Sequence, residues 1–196
     1  MSSDRDSTPP IEAKAEEEPK LDRAHTLRMT LVILGLAAGF AIVPRLTKSF
    51  MPSSEPEVAH DFTLAVVANP PEPEQKEFSL AAQKGHPIVL DFWATWCGPC
   101  QAQSPIVNGI AARFKDRGLV VVGVNTSDDA RLAAAFAKKK NLSFPIVFDE
   151  HNAVAQHYHA DTLPTLVVID KEGKVKAVRH GLTSEADLDR LVRSVL

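Results

Sequence analysis

Residues 86–94 of the 196-residue chain read HPIVLDFWA, a nearly continuous apolar run that ends at Trp96-Cys97-Gly98-Pro99-Cys100. An apolar run of that length suits a strand buried on both faces of a sheet. Residues 97–115 have helical character, with Pro99 suited to a first helical turn and Pro105 placed to kink the helix. Both cysteines of the chain therefore fall at a strand-to-helix junction, which commits the domain to an α/β layer arrangement. Two residues between them close too small a loop to staple a fold. Two cysteines alone do not complete a four-ligand zinc site. The count favours redox chemistry. A net charge of −3 gives no broad basic surface for nucleic acid.

The rest of the chain divides by composition. Residues 1–26, with Pro9, Pro10, Pro19 and Glu16-Glu17-Glu18, have few large apolar side chains and read as a disordered cytoplasmic tail. Residues 27–44 contain the uncharged run from Met29 to Val43 between Arg28 and Arg45, read as a transmembrane signal anchor. A cleaved signal peptide and a buried soluble helix are the competing readings. The 28 residues ahead of the run favour the anchor, and the basic residues ahead of it place the N-terminus in the cytoplasm. Residues 45–57 read as a polar linker and 58–196 as the folded domain.

Within that domain, 62–67 reads as a first strand and 69–73 as a proline-rich surface loop. Ser79 is expected to cap a short helical turn, and 119–124 to form another buried strand. Ser127 is expected to cap a helix whose first turn carries Asp128 and Asp129 and whose last turn carries Lys138, Lys139 and Lys140, in keeping with the helix dipole. A strand at 145–148, a helix at 151–158, a hairpin of 165–170 and 175–180, and a final helix capped by Ser184 complete the pattern. The expected class is α/β with a mixed central sheet flanked by helices.

A thiolate attacks a disulfide, and the unpaired N–H groups and dipole of a helix N-terminus stabilise one. Cys97 is therefore expected to be the exposed nucleophile and Cys100, one turn on, the resolving thiol. Gly98 and Pro99 add no charge or imidazole to hold Cys97 as a thiolate, so the pair is expected to act as a reductant.

VLDFWATWCGPC (89–100) closely resembles the thioredoxin active-site segment, and the resemblance continues through Leu163-Pro164-Thr165. Together with Asp61-Phe62-Thr63-Leu64, the inserted stretch 144–158 and VIDKEGK (168–174), it resembles the membrane-tethered TlpA/ResA type of thioredoxin-like protein. The resemblance implies a thioredoxin fold with an N-terminal β-extension and a central strand–helix insertion. It implies a cis bond before Pro164, with Leu163 pairing to an extended substrate, and a buried Asp91 that relays the Cys100 proton. Asparagine is expected more often at that position in TlpA/ResA relatives. Trp96, Gly98 and Pro99 would contact the substrate, while Trp93 packs in the core.

The resulting expectation is a thiol–disulfide oxidoreductase, on the outer side of the cytoplasmic membrane, that reduces disulfides of exported proteins such as apocytochrome c. A transmembrane thiol donor would re-reduce the pair, and the redox-active disulfide Cys97–Cys100 would need neither added cofactor nor metal. The alternative is a copper-binding module using the cysteine pair with one of His151, His157 or His159. Peroxide reduction is disfavoured, because Ala94 stands three residues before Cys97 where a peroxidase setting has Thr or Ser.

Overall fold

The computed structural model describes residues 27–34 and 57–196. Residues 27–34 are helical, and among the described residues no helix is long and apolar enough to cross a membrane. The tail at 1–26 and nearly all of the linker at 45–57 lie outside the described residues, as does the greater part of the anchor at 27–44.

The unit beginning at Glu57 is built on a seven-stranded sheet in the order β2-β1-β5-β4-β3-β6-β7. The strands are β1 (Thr63–Ala68), β2 (Glu77–Ser79), β3 (Ile88–Trp93), β4 (Val120–Thr126), β5 (Ile146–Asp149), β6 (Thr165–Ile169) and β7 (Val175–His180). The helices are α1 (Gly98–Phe114), α2 (Ala130–Lys139), α3 (Ala153–His157) and α4 (Glu185–Arg193). β3 pairs in parallel with β4 and β4 with β5, whereas β3–β6, β6–β7, β1–β5 and β1–β2 are antiparallel. The sheet is mixed, as expected, with β1–β2 as the N-terminal extension and β5–α3 as the insertion.

Every residue of β3 is buried, which is why its sequence does not alternate in polarity. Side chains still alternate between faces. Ile88, Leu90 and Phe92 join the core formed with β1–β2 and α3, through Phe62, Phe78, Val154 and Tyr158. Val89 and Trp93 point the other way, into the core built with Cys97, Cys100, Val107 and Ile110 of the α1 segment and Leu188 of α4. Burial of each large apolar side chain there stabilises the fold by about 1.5–3 kcal/mol.

Two expected caps are placed differently. Ser79 ends β2 rather than capping a helix; the 3-10 turn at Ala81–Gln83 has no side-chain cap. α2 is capped by Asp129, whose carboxylate accepts from the Arg131 and Leu132 N–H groups, and no acidic residue lies in its first turn. Ser127 instead adopts a left-handed backbone (φ 53°), so Asp128 turns away from the helix. Ser184 does cap α4, accepting from Asp187 N–H at 3.2 Å.

The chain enters the unit along the β6–β7 hairpin. Val58 bridges Lys174, and Val175 N–H donates to Glu57 C=O at 2.8 Å. Opposite Asp91 across the β3–β4 pairing stands Gly123, where a Cβ would come within 2.7 Å of Ile146 Cδ1, 3.0 Å of Trp93 Nε1 and 3.1 Å of Phe144 Cε2. Gly123→Ala therefore overpacks the centre of the sheet and is expected to cost about 1–3 kcal/mol, read from the urea unfolding midpoint.

Candidate active site

β3 delivers the chain to the α1 N-terminus through Ala94, Thr95 and Trp96. Cys97 is the N-cap residue of α1, and Cys100 lies in its first turn. The two are joined as a disulfide with Cα atoms 5.2 Å apart, and Cys97 Sγ also accepts from Cys100 N–H at 3.2 Å. The sulfur that would carry negative charge after reduction is thus already aimed at a free helix donor. Pro99 occupies the first turn, where its missing N–H costs no bond. The buried face of α1 runs through Cys100, Gln103, Ser104, Val107, Ile110 and Phe114, fixing its N-terminus over the sheet. Gln103 Oε1 accepts from Thr183 N–H at 2.7 Å and ties α1 to the loop before α4.

In its oxidised form Cys97 is not the openly exposed thiol expected from the sequence. It is 5 % exposed and Cys100 2 %, because the disulfide tucks both sulfurs against the core. The difference between them lies in access. Cys97 lines an open pocket of about 470 Å³ together with Trp96, Gly98, Pro99, Asn152 and Leu163, and Cys100 does not. Trp96 is 65 % exposed and its Nε1 donates to Ser127 C=O at 2.8 Å, so the indole stands as a fixed wall. Trp93 is buried against Phe136, as expected for a core residue.

On the opposite side of the pocket the Leu163–Pro164 bond is cis. Pro164 C=O accepts from Gly181 N–H at 2.7 Å, and Thr165 Oγ1 donates to Thr162 C=O at 2.6 Å, which pins this loop. The Leu163 N–H and C=O take no partner among the described residues.

Asp91 is 3 % exposed. Alternation along β3 puts it between Val89 and Trp93, on the face that packs under the cysteine pair. Its Oδ1 has no partner among the described residues, and burial pushes its pKa from the usual 3.8 up to about 7.

Sequence reasoning missed the group that holds the approach to Cys97. Asp128 Oδ2 accepts from Thr95 N–H at 2.5 Å and Asn125 Nδ2 at 3.0 Å. Its Oδ1 accepts from Thr95 Oγ1 and Asp129 N–H, each at 2.9 Å. Burial alone would raise its pKa, but the bonds from Asn125, Thr95 and Asp129 outweigh that and hold the carboxyl below its usual value. Nothing in the local pattern distinguishes this side chain from a helix-dipole aspartate, since its partner lies 33 residues away.

The copper alternative finds no support. Among the described residues no three His, Cys, Asp or Glu side chains group as a metal site. No histidine lines the pocket beside Cys97, and His157 stacks on His60 with ring centroids 3.7 Å apart.

A disulfide-bonded cysteine pair on a strand–helix junction, facing a cis-proline loop across one pocket at the end of a mixed sheet, defines a thioredoxin-fold thiol–disulfide oxidoreductase. The chain belongs to the AhpC/TSA family, whose model matches residues 57–178. It is 30% identical to the thiol-disulfide oxidoreductase ResA of Geobacillus thermodenitrificans over 86% of this chain and 94% of that protein. It is 31% identical to ResA of Bacillus subtilis over 80% and 84% of the two chains. Among solved structures it is similar to a thioredoxin-family thiol:disulfide interchange protein of Chlorobium tepidum, with TM-score 0.64, 26% identity, and coverage of 74% of this chain and 99% of that one.

The two carboxylates should respond differently to replacement by an amide. The folded chain keeps the Asp91 proton up to about pH 7, whereas an unfolded aspartate releases it near 3.8. The folded state therefore binds more protons between those values, and its stability falls as pH rises through that window before levelling off. Asp91→Asn should lack this decline, changing the wild-type-minus-variant gap by on the order of 4 kcal/mol between pH 4 and pH 8 in urea titrations of the oxidised protein. For Asp128, an amide replaces one acceptor oxygen by a donor facing two existing donors. Asp128→Asn is expected to lose about 1–3 kcal/mol in the same assay at pH 7.

Proposed function

We propose that the protein reduces disulfides of exported polypeptides, with Cys97 as nucleophile, Cys100 as resolving thiol and Asp91 as proton relay. The observation that carries this reading is the Cys97–Cys100 disulfide at the α1 N-terminus, where Cys97 alone opens to the pocket and Asp91 lies beneath. In the reduced enzyme the Cys97 thiolate attacks one sulfur of a substrate disulfide and expels the other as a thiolate. Cys100, giving its proton to the Asp91 carboxylate, then attacks Cys97 Sγ and releases the second substrate sulfur. Two electrons pass to the substrate, and the pair is left oxidised. The unpaired Leu163 backbone would dock an extended segment of the substrate, while Trp96, Gly98 and Pro99 flank its cysteine.

Gly98 and Pro99 do nothing to stabilise a Cys97 thiolate, which favours a potential nearer thioredoxin, about −270 mV, than DsbA, about −120 mV. The expected setting is the outer side of the cytoplasmic membrane, with residues 27–44 as the anchor and a transmembrane thiol donor restoring the dithiol. Such a donor is needed because that compartment is kept oxidising. On the resemblance to the TlpA/ResA type, the substrate proposed is the pair of haem-attachment cysteines of apocytochrome c.

Cys100→Ala should accumulate mixed disulfides through Cys97 in native envelope fractions, visible on non-reducing gels and absent when Cys97 is also replaced. No trapped partner would sink the substrate reading. A measured potential near that of DsbA would reverse the direction.

A further inference from the structure

We infer that Asn152 is a specificity-determining residue, whose side-chain Nδ2 donates to a carbonyl oxygen of the polypeptide bound at Cys97. The inference rests on the pocket's being the substrate-docking site, as proposed above.

Asn152 lies beside α3 with a left-handed backbone (φ 57°), a conformation that Asn and Asp tolerate better than most residues. Its Oδ1 accepts from Thr126 Oγ1 at 2.5 Å and from Ser127 N–H at 2.7 Å. A backbone N–H requires an acceptor, so these bonds fix which end of the amide faces the β4 loop. The Nδ2 end then has no acceptor among the described residues, and the residue lines the same pocket as Cys97 and Leu163. A substrate strand paired to the free Leu163 backbone brings its own unpaired carbonyls into that pocket. Asp161 is also among the lining residues, and a carboxylate at the pocket disfavours a second one and leaves a neutral carbonyl as the better match.

The test is Asn152→Asp. An aspartate keeps both internal bonds and the left-handed backbone, exchanges the Nδ2 donor for an acceptor and adds a negative charge. The comparison is therefore repeated at high salt, where a charge effect fades and a lost hydrogen bond does not. Two substrates are compared by kcat/KM: insulin, and bis(2-hydroxyethyl) disulfide, which has no carbonyl. The loss for insulin should exceed the loss for the small disulfide by about tenfold and appear in KM, as expected when a carbonyl faces an acceptor. Thr126→Val removes one internal bond but not the donor, and should lower both substrates equally. Equal losses in Asn152→Asp, no loss, or a split as large in Thr126→Val would overturn the inference. Failure of the functional reading shows separately, as absence of insulin reduction by the wild type.

Discussion

The α1 N-terminus rests against the C-terminal end of β3, and the site depends on that contact. Cys100, Val107, Ile110 and Phe114 hold the helix on the sheet, so its first N–H groups meet Cys97 Sγ rather than solvent. Free helix donors and the aligned peptide dipoles make this the one place on β3–α1 where a sulfur anion is stabilised without a charged side chain. The Asp128 clamp, the Trp96 wall and the pinned Pro164 loop all converge on the same few residues. None of them would have a reacting centre to serve if the helix shifted by a turn.

Asp91 works against stability at that centre. A carboxyl enclosed by a fully buried strand, with an oxygen left unpaired, is the kind of local conflict that packing alone would remove. Its neighbour Gly123 leaves no room for a larger residue on the adjoining strand, so the packing beside it stays tight. Such enclosure holds the proton to near neutrality, and it gives the domain a titrating group in the range where thiols exchange.

The features legible in the sequence were local ones. The polarity of β3, the position of the cysteines relative to α1, and the Ser184 cap all depend on neighbours within a few residues. The resemblance supplied both the buried acid at Asp91 and the cis bond at Pro164, and only the paired strand shows the acid on the cysteine face. β2 escaped notice because three residues after a proline-rich loop carry no periodicity. Asp128 and Asn152 escaped for a different reason. Ser127 and Asn152 take left-handed backbones, and the Asp128 carboxylate reaches Thr95 while the Asn152 amide reaches Thr126 and Ser127, all far along the chain. A polar residue before a helix looks like a cap until the fold shows what else it can reach.

The way the chain enters the unit has a practical consequence. Glu57 and Val58 are fastened at the β6–β7 turn, whereas Cys97 lies beyond the other end of β3, antiparallel to β6. Five paired residues of extended strand separate the two poles, about 17 Å of sheet. Whatever precedes Glu57 is therefore joined at the pole away from the disulfide. A solid support or a fused carrier attached at that end is joined to the unit away from the Cys97 pocket rather than beside it.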